Sequence, residues 1–194
     1  MAATKILVFA GSIRSTAFSG RLAAVAAKEL AILDAEVSLI SLADYPLPIF
    51  DADLERGKGL PENALKLARL LAGHAGIFIA TPEYNHSLPP LLKNTIDWVS
   101  RPKSGAGLSL RGRVYAIGGV SDGPVGGARA LVDLRKVLAA AFDALVIPDQ
   151  IALGNAQDAF NEAGNLIDPG SAGQLRRVAS ALVEMTQRLG VRRA

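Results

Sequence analysis

The sequence predicts an α/β protein, a doubly wound sandwich with a five-stranded parallel sheet in the order 2-1-3-4-5. Three observations carry that prediction. Short continuous apolar runs, of the kind that strands buried on both faces need, recur along the 194 residues. Stretches with apolar residues at three- and four-residue spacing separate them. A Gly- and Ser-rich turn follows the first run directly, at the strand-to-helix junction where such folds bind anions. Right-handed crossovers between parallel strands place helices on both faces of a sheet. With five strands and no Gly-x-Gly-x-x-Gly after the first, the order 2-1-3-4-5 is favoured over the six-stranded dinucleotide-binding order.

The first strand is Ile6-Leu7-Val8-Phe9-Ala10, and Phe18, Leu22, Val25, Ala26 and Leu30 mark the helix after it. Val37-Ser38-Leu39-Ile40 gives the second strand. The segment from Tyr45 to Glu55, with Pro46 and Pro48, reads as an extended loop. Pro61 is expected at the first position of the next helix, with Leu65, Ala68 and Leu71 packed and Gly73 as a left-handed cap. Ile77-Phe78-Ile79-Ala80 is the third strand. Thr81-Pro82-Glu83-Tyr84-Asn85-His86 follows as a loop, Ser87 as a helix cap, and Leu91, Leu92, Ile96 and Val99 as a core face that ends before Pro102.

A glycine-bearing loop from Lys103 to Gly112 precedes the fourth strand, Val114-Tyr115-Ala116-Ile117, and a flexible turn from Gly118 to Gly127 follows it. The next helix carries Ala130, Leu131, Leu134, Val137, Leu138, Ala141 and Phe142, and Ala144-Leu145-Val146-Ile147 is the fifth strand. Ser171 with Gln174 reads as a capping box for the last helix, lined by Leu175, Val178, Leu182, Met185 and Leu189.

Half of the residues are apolar, and no charge block or Pro/Gly/Ser tract divides the chain, so residues 1–194 read as one domain. The absence of cysteine removes disulfides, thiolate metal sites and thiol nucleophiles. The first apolar run is too short for a signal core or a membrane span, and a soluble cytoplasmic protein is expected. The net charge of +3 favours anionic ligands, but aromatics are only 5% and the basic residues are dispersed, which argues against nucleic acid.

In the expected strand order, strands one and three are neighbours whose helices leave on opposite faces, opening a crevice at their C-terminal ends. The loops beside it are 11–19 and 81–87. The first, Gly11-Ser12-Ile13-Arg14-Ser15-Thr16-Ala17-Phe18-Ser19, offers free N–H groups at a helix N-terminus, hydroxyl donors and a guanidinium, which suits a phosphate monoester; a Ser-rich turn with an exposed arginine is the competing reading. His74 and His86 are the only histidines, there is no Gly-x-Ser-x-Gly elbow, Glu83 has no partner acid, and no metal site or Walker A loop is present. A planar phosphorylated cofactor that carries its own reactivity fits what remains.

Gly11-Ser12-Ile13-Arg14 with Phe18, Thr81-Pro82-Glu83-Tyr84-Asn85, Leu92-Lys93-Asn94-Thr95-Ile96-Asp97-Trp98 through Ser100-Arg101, and Gly126-Gly127-Ala128-Arg129 before Leu134-Arg135 resemble the NADPH-dependent FMN reductase family, which includes bacterial chromate, quinone and azo reductases. The resemblance runs from about Lys5 to the last helix, and it implies a flavodoxin-like fold. Family members usually carry Ser at the position of Ala17 and Asn at that of Ser19. The resemblance implies that Ser12, Arg14, Ser19 and the backbone of Phe18 hold the FMN phosphate. It also implies that Pro82, Glu83, Tyr84 and Asn85 run along the isoalloxazine and that Ser121 reaches its other edge. His86 and Arg101 are weaker candidates for substrate contact, and Arg129 and Arg135 read as helix-surface charges.

The implied chemistry is ping-pong: hydride passes from NADPH or NADH to flavin N5, and then to a quinone, chromate, ferric or azo acceptor at the same open face. No side-chain acid or base is required. A flavodoxin-type electron carrier without nicotinamide turnover is the alternative, disfavoured by the net positive charge and the arginine in the phosphate loop. A response-regulator-like domain would need an acidic cluster after the first strand, where Ala10-Gly11-Ser12 stands. Excess apolar surface on the 87–101 helix, Trp98 included, predicts that it pairs with a two-fold mate, giving a homodimer or homotetramer with the flavin site at the boundary.

Overall fold

The computed structural model describes residues 3–102, 112–142 and 144–190. Its strands are β1 (Lys5–Ala10), β2 (Glu36–Ile40), β3 (Gly76–Pro82), β4 (Val114–Val120) and β5 (Leu145–Leu153). Its helices are α1 (Phe18–Ile32), α2 (Ala52–Lys58), α3 (Glu62–Gly73), α4 (Pro90–Val99), α5 (Ala128–Phe142) and α6 (Pro169–Gly190). The sheet is parallel throughout, in the order β2-β1-β3-β4-β5. The expected α/β, flavodoxin-like fold is therefore the fold observed.

Alternation along the central strands divides the core into two layers. Ile6, Val8 and Ala10 of β1 and Phe78 and Ala80 of β3 pack with Leu22, Ala26 and Leu30 of α1 and Leu175, Val178 and Leu182 of α6. Leu7, Phe9, Ile77 and Ile79 point the other way, onto Leu67 and Leu71 of α3, Leu92 and Ile96 of α4, and Leu131 and Leu134 of α5. Each fully buried leucine contributes roughly 1.5–3 kcal/mol, so both layers are needed to hold the sheet. The helices of β1 and β3 thus leave on opposite faces, and the crevice opens at Ala10 and Ala80, which are register partners.

Several local expectations are corrected. Within the supposed loop from Tyr45 to Glu55, α2 begins at Ala52, because Asp51 accepts the N–H of Asp53 at 2.7 Å and caps it. Pro61 is the cap of α3 rather than its first residue, and Gly73 does not adopt a left-handed conformation. The packed stripe of α3 is Ala64, Leu67, Ala68 and Leu71, with Leu65 only half-buried. Pro89, not Ser87, precedes α4. Pro169 opens α6, and Asp168 rather than Ser171 caps it by accepting the Ser171 N–H at 2.7 Å, while Gln174 donates to the carbonyl of Gln150. The 103–111 part of the glycine-bearing loop and the side chains of Ala141 and Phe142 lie outside the described residues.

β4 and β5 run beyond their apolar cores. Three residues of β5 stand against Ala116 in a bulge between Tyr115 and Ile117. Arg135 fills that irregularity, donating to the carbonyls of Val146 and Ile147 and to Gln150 Oε1. It is a clasp on the edge strand rather than a surface charge. Burial lowers its pKa. The supposedly flexible turn 118–127 is equally fixed. Gly118 and Gly119 belong to β4, and Gly126, at φ +66°, lies so close to β5 that a Cβ would stand 2.6 Å from the backbone of Ala152 and Leu153.

Candidate functional site

Three strand-to-helix loops meet above the β1/β3 crevice. The first begins where Gly11 donates its N–H to the carbonyl of Ala80 at 2.7 Å, fastening the turn after β1 to β3. Ser12 Oγ accepts the N–H of Arg14, and the Arg14 guanidinium is exposed, with no hydrogen bond or ion pair among the described residues. α1 then starts without a side-chain cap at Ala17 and without an acidic residue in its first turn. The N–H groups of Phe18 and Ser19 donate to no carbonyl among the described residues. An uncapped helix N-terminus leaves its partial positive charge uncompensated.

Ser19 sharpens that point. Its side chain is 1% exposed, and its Oγ is the one buried side-chain polar atom among the described residues that has no hydrogen-bond partner. An unpaired buried hydroxyl costs about 1–3 kcal/mol, which a ligand oxygen would recover. Phe18 beside it is backed by Phe160, its ring parallel to within 4° at 6.5 Å, and Arg21 lies 4.5 Å over the far ring.

The second loop is built on a two-residue hairpin turn. Tyr84 and Ser87 exchange backbone hydrogen bonds at 3.0 and 3.1 Å, and Asn85 and His86 between them both take positive φ, 49° and 65°. Asn suits the first of these positions, so Asn85 shapes the turn. Two side chains bind this turn to α5. The Glu83 carboxylate accepts the N–H groups of Arg129 and Ala130 at 3.0 and 3.2 Å, capping α5, and takes the Arg129 guanidinium at 3.4 Å. Ser87 donates to Asp133 Oδ2 at 2.6 Å, which, with Lys136 nearby, holds the Asp133 carboxyl below the usual carboxylate range.

The third loop contributes Ser121, whose N–H reaches Leu153 and whose hydroxyl donates to the carbonyl of Gly123. Together the three loops enclose a cavity of about 140 Å³ lined by Ser12, Arg14, Ala17, Phe18, Ser19, Pro82, Glu83, Tyr84, Val120, Ser121 and Asp122.

Eight of the residues singled out from the sequence are therefore brought together: Ser12, Arg14, Phe18, Ser19, Pro82, Glu83, Tyr84 and Ser121. Asn85 stands behind them in the turn. His86 is 75% exposed, with Nδ1 3.7 Å from Glu83. Arg101 goes elsewhere, pairing with Glu55 at 2.9 Å and lying over the ring of Phe50. Arg129, read as a surface charge, serves the Glu83 contact. Sequence reasoning missed Val120 and Asp122 on the cavity wall; the signal for both was their place directly after the fourth apolar run. A wider cavity of about 520 Å³ lies beside α3 among Lys5, Ser38, Lys66, Arg69 and His74. It shares no residue with these loops, and its histidine is engaged by the carbonyl of Leu70 and by Ser38.

The Leu-Lys-Asn-x-Ile-Asp-Trp run has a structural role. Asn94 accepts the N–H of Phe50 and donates to the carbonyl of Pro48, which also receives Trp98 Nε1 at 2.8 Å. Trp98 is 0% exposed within the single chain, covered by this segment and edge-on to Phe50. It is therefore not the contact to a two-fold mate that its place in the sequence predicted.

The model of the NADPH-dependent FMN reductase family matches residues 4–158. The chain is 34% identical over 190 residues to a quinone reductase of Escherichia coli, covering 96% of this chain and 97% of that one. It is 30% identical over 186 residues to an NAD(P)H-dependent FMN reductase of Pseudomonas aeruginosa, covering 95% and 96%. Among solved structures, the FerB flavoenzyme NAD(P)H:(acceptor) oxidoreductase of Paracoccus denitrificans superposes with a TM-score of 0.81 at 27% identity, over 96% of this chain and 98% of that one. The match of the family model over residues 4–158 and the relatives' identity over nearly the whole chain show that the chain belongs to the NADPH-dependent FMN reductase family.

Proposed function

We propose that this chain is an NAD(P)H-dependent, FMN-containing quinone reductase that works by ping-pong hydride transfer. The observation that carries the proposal is the Ser19 hydroxyl at the uncapped start of α1, beside a cavity that Arg14 borders, neither side chain having a partner among the described residues. These donors fit a phosphate dianion. Arg14 neutralises it, Ser12 and Ser19 donate hydroxyls, and the N–H groups of Phe18 and Ser19 complete the cradle. At about 140 Å³ the cavity is smaller than the roughly 300 Å³ at which small-molecule pockets begin, so the isoalloxazine extends past it along Pro82, Glu83, Tyr84, Asn85 and Ser121.

When bound, FMN supplies the hydride-accepting and hydride-donating chemistry. The residues bind and orient. Glu83 is spent on capping α5, and the chain's part at the cavity is to hold the ring and keep one face open. Reduced nicotinamide and oxidant take turns at that face. Quinones are the acceptors that the relatives' names favour; the same face admits chromate, ferric chelates and azo dyes. His86 at the exposed rim is the side chain placed to meet an acceptor.

The proposal extends to organisation. Residues 1–194 act as one flavin-binding unit in the cytoplasm, and no helix among the described residues is long and apolar enough to cross a membrane. Two or four chains assemble, with Tyr84, 48% exposed, and Val125, 45% exposed, on the loops that border the cavity as the apolar surface available to a second copy. The test is anaerobic addition of NADPH to the FMN-loaded protein. Bleaching of the flavin band, restored by a quinone, supports the reading; a band untouched by NADPH and NADH identifies an electron carrier instead.

A further inference from the structure

Ser12 and Arg14 border two cavities. On the side away from Tyr84, between the phosphate loop and the end of β2, lies a space of about 490 Å³ whose walls include Ile13, Leu39, Ile40 and Asp44. That is within the range of small-molecule sites, roughly 300–1,000 Å³. Its character differs from the cradle. Ile13 and Leu39, 55% and 51% exposed, are large apolar side chains left uncovered in one recess. The carboxylate of Asp44 makes no hydrogen bond or ion pair among the described residues, whereas Ser41 beside it is already used, accepting the N–H of Ala43.

The topology gives this arrangement a meaning. Dinucleotide-binding folds share the succession of β1, phosphate loop, α1 and β2, though with a Gly-x-Gly-x-x-Gly turn that this chain does not have, and in them an acidic residue beyond the second strand takes ribose hydroxyls. Asp44 follows the end of β2 at Ile40 after a single short turn. Apolar walls for a flat ring, an acceptor for ribose and a shared guanidinium next to a phosphate cradle are the parts that an adenylate group needs.

We propose that Ile13, Leu39 and Asp44 form a subsite for an adenylate carried on the flavin phosphate, so that the chain takes FAD as well as FMN, with Arg14 between the two phosphates. The proposal rests on the reading of the Ser12–Ser19 loop as the flavin phosphate cradle. The fork of donors on Arg14 can serve two adjacent anionic groups at once.

Calorimetric titration of the apoprotein with FMN and FAD, for the unmodified chain, Asp44→Ala and Leu39→Asp, tests it; both sites are exposed, so folding is not at stake. The expected result is FAD affinity within tenfold of FMN, and in both variants a loss of about tenfold or more for FAD against a change under twofold for FMN. FAD binding weaker than FMN by more than tenfold, or equal losses for both flavins, overturns it. Titration of FMN-saturated protein with AMP separates the sources: heat of binding there, together with FAD binding more than tenfold weaker than FMN, assigns the recess to a free nucleotide and overturns the tethered form. Failure of FMN itself to bind the unmodified protein removes the cradle reading, an outcome visible before any FAD comparison is made.

Discussion

The Glu83 carboxylate accepts the backbone N–H of Arg129 at 3.0 Å, so the loop that covers the cavity is joined to the first turn of α5. One side chain therefore caps a helix and sets the height of the cavity wall. Replacing it with alanine removes both functions. Glu83→Ala is expected to lower stability by about 0.5–2 kcal/mol, the usual worth of a helix cap, and to weaken FMN binding. Thermal melting with and without FMN checks both, and an unchanged melting temperature would mean that α5 does not depend on Glu83.

Arg14 has no partner among the described residues, so its removal should leave the apoprotein's stability alone while FMN affinity falls by about 1.5–3 kcal/mol, the range for hydrogen bonds to a charged group. Fluorescence titration with FMN reads the affinity. Riboflavin, which lacks the phosphate, provides the contrast: Arg14→Ala should bind it as the unmodified chain does.

The Ser87–Asp133 contact carries a pH dependence. Because the Ser87 hydrogen bond, then Lys136, lowers the folded-state pKa of Asp133, the contact stabilises the protein above the ordinary carboxylate range and is lost as pH falls through the lowered value. In carbon-13 NMR titrations the Asp133 midpoint should lie below about 3.9, the ordinary aspartate value, and Ser87→Ala should move it upward. Identical midpoints in the two proteins would contradict the role given to Ser87.

Trp98 separates folding from assembly. Being fully buried and hydrogen-bonded to Pro48, Trp98→Ala is expected to cost about 3–5 kcal/mol, read by urea unfolding. A variant that keeps full stability and merely dissociates would restore the interface role that the structure removes. Sedimentation of the unmodified protein independently tests the proposed assembly of two or four chains.

What the sequence made legible follows from how each feature is encoded. The runs 6–10, 77–80 and 114–117 could be read as strands because burial on both faces leaves no polar residue in them. Their extensions at Thr81–Pro82 and Gly118–Val120 could not, since backbone pairing requires no apolar side chain. α2 escaped notice because none of its residues is buried, so there is no period to see. Ser19 was legible as a donor but not as an unpaired one, because pairing depends on residues distant in the chain. Trp98 misled for a related reason: its cover, the 48–50 segment, is held by long-range bonds to Asn94 and Trp98 that no local pattern announces.

The central claim, that the start of α1 is built for a flavin phosphate, is tested most directly by Ser19→Ala, with apoprotein stability and FMN affinity measured side by side. Removing a buried hydroxyl that has no partner should stabilise the apoprotein by about 1–3 kcal/mol, while loss of a donor to the phosphate weakens FMN binding by about 1.5–3 kcal/mol. The two changes are opposite in sign. An apoprotein that is less stable, together with FMN binding that is unaltered, would show that Ser19 belongs to the fold alone and would contradict the account.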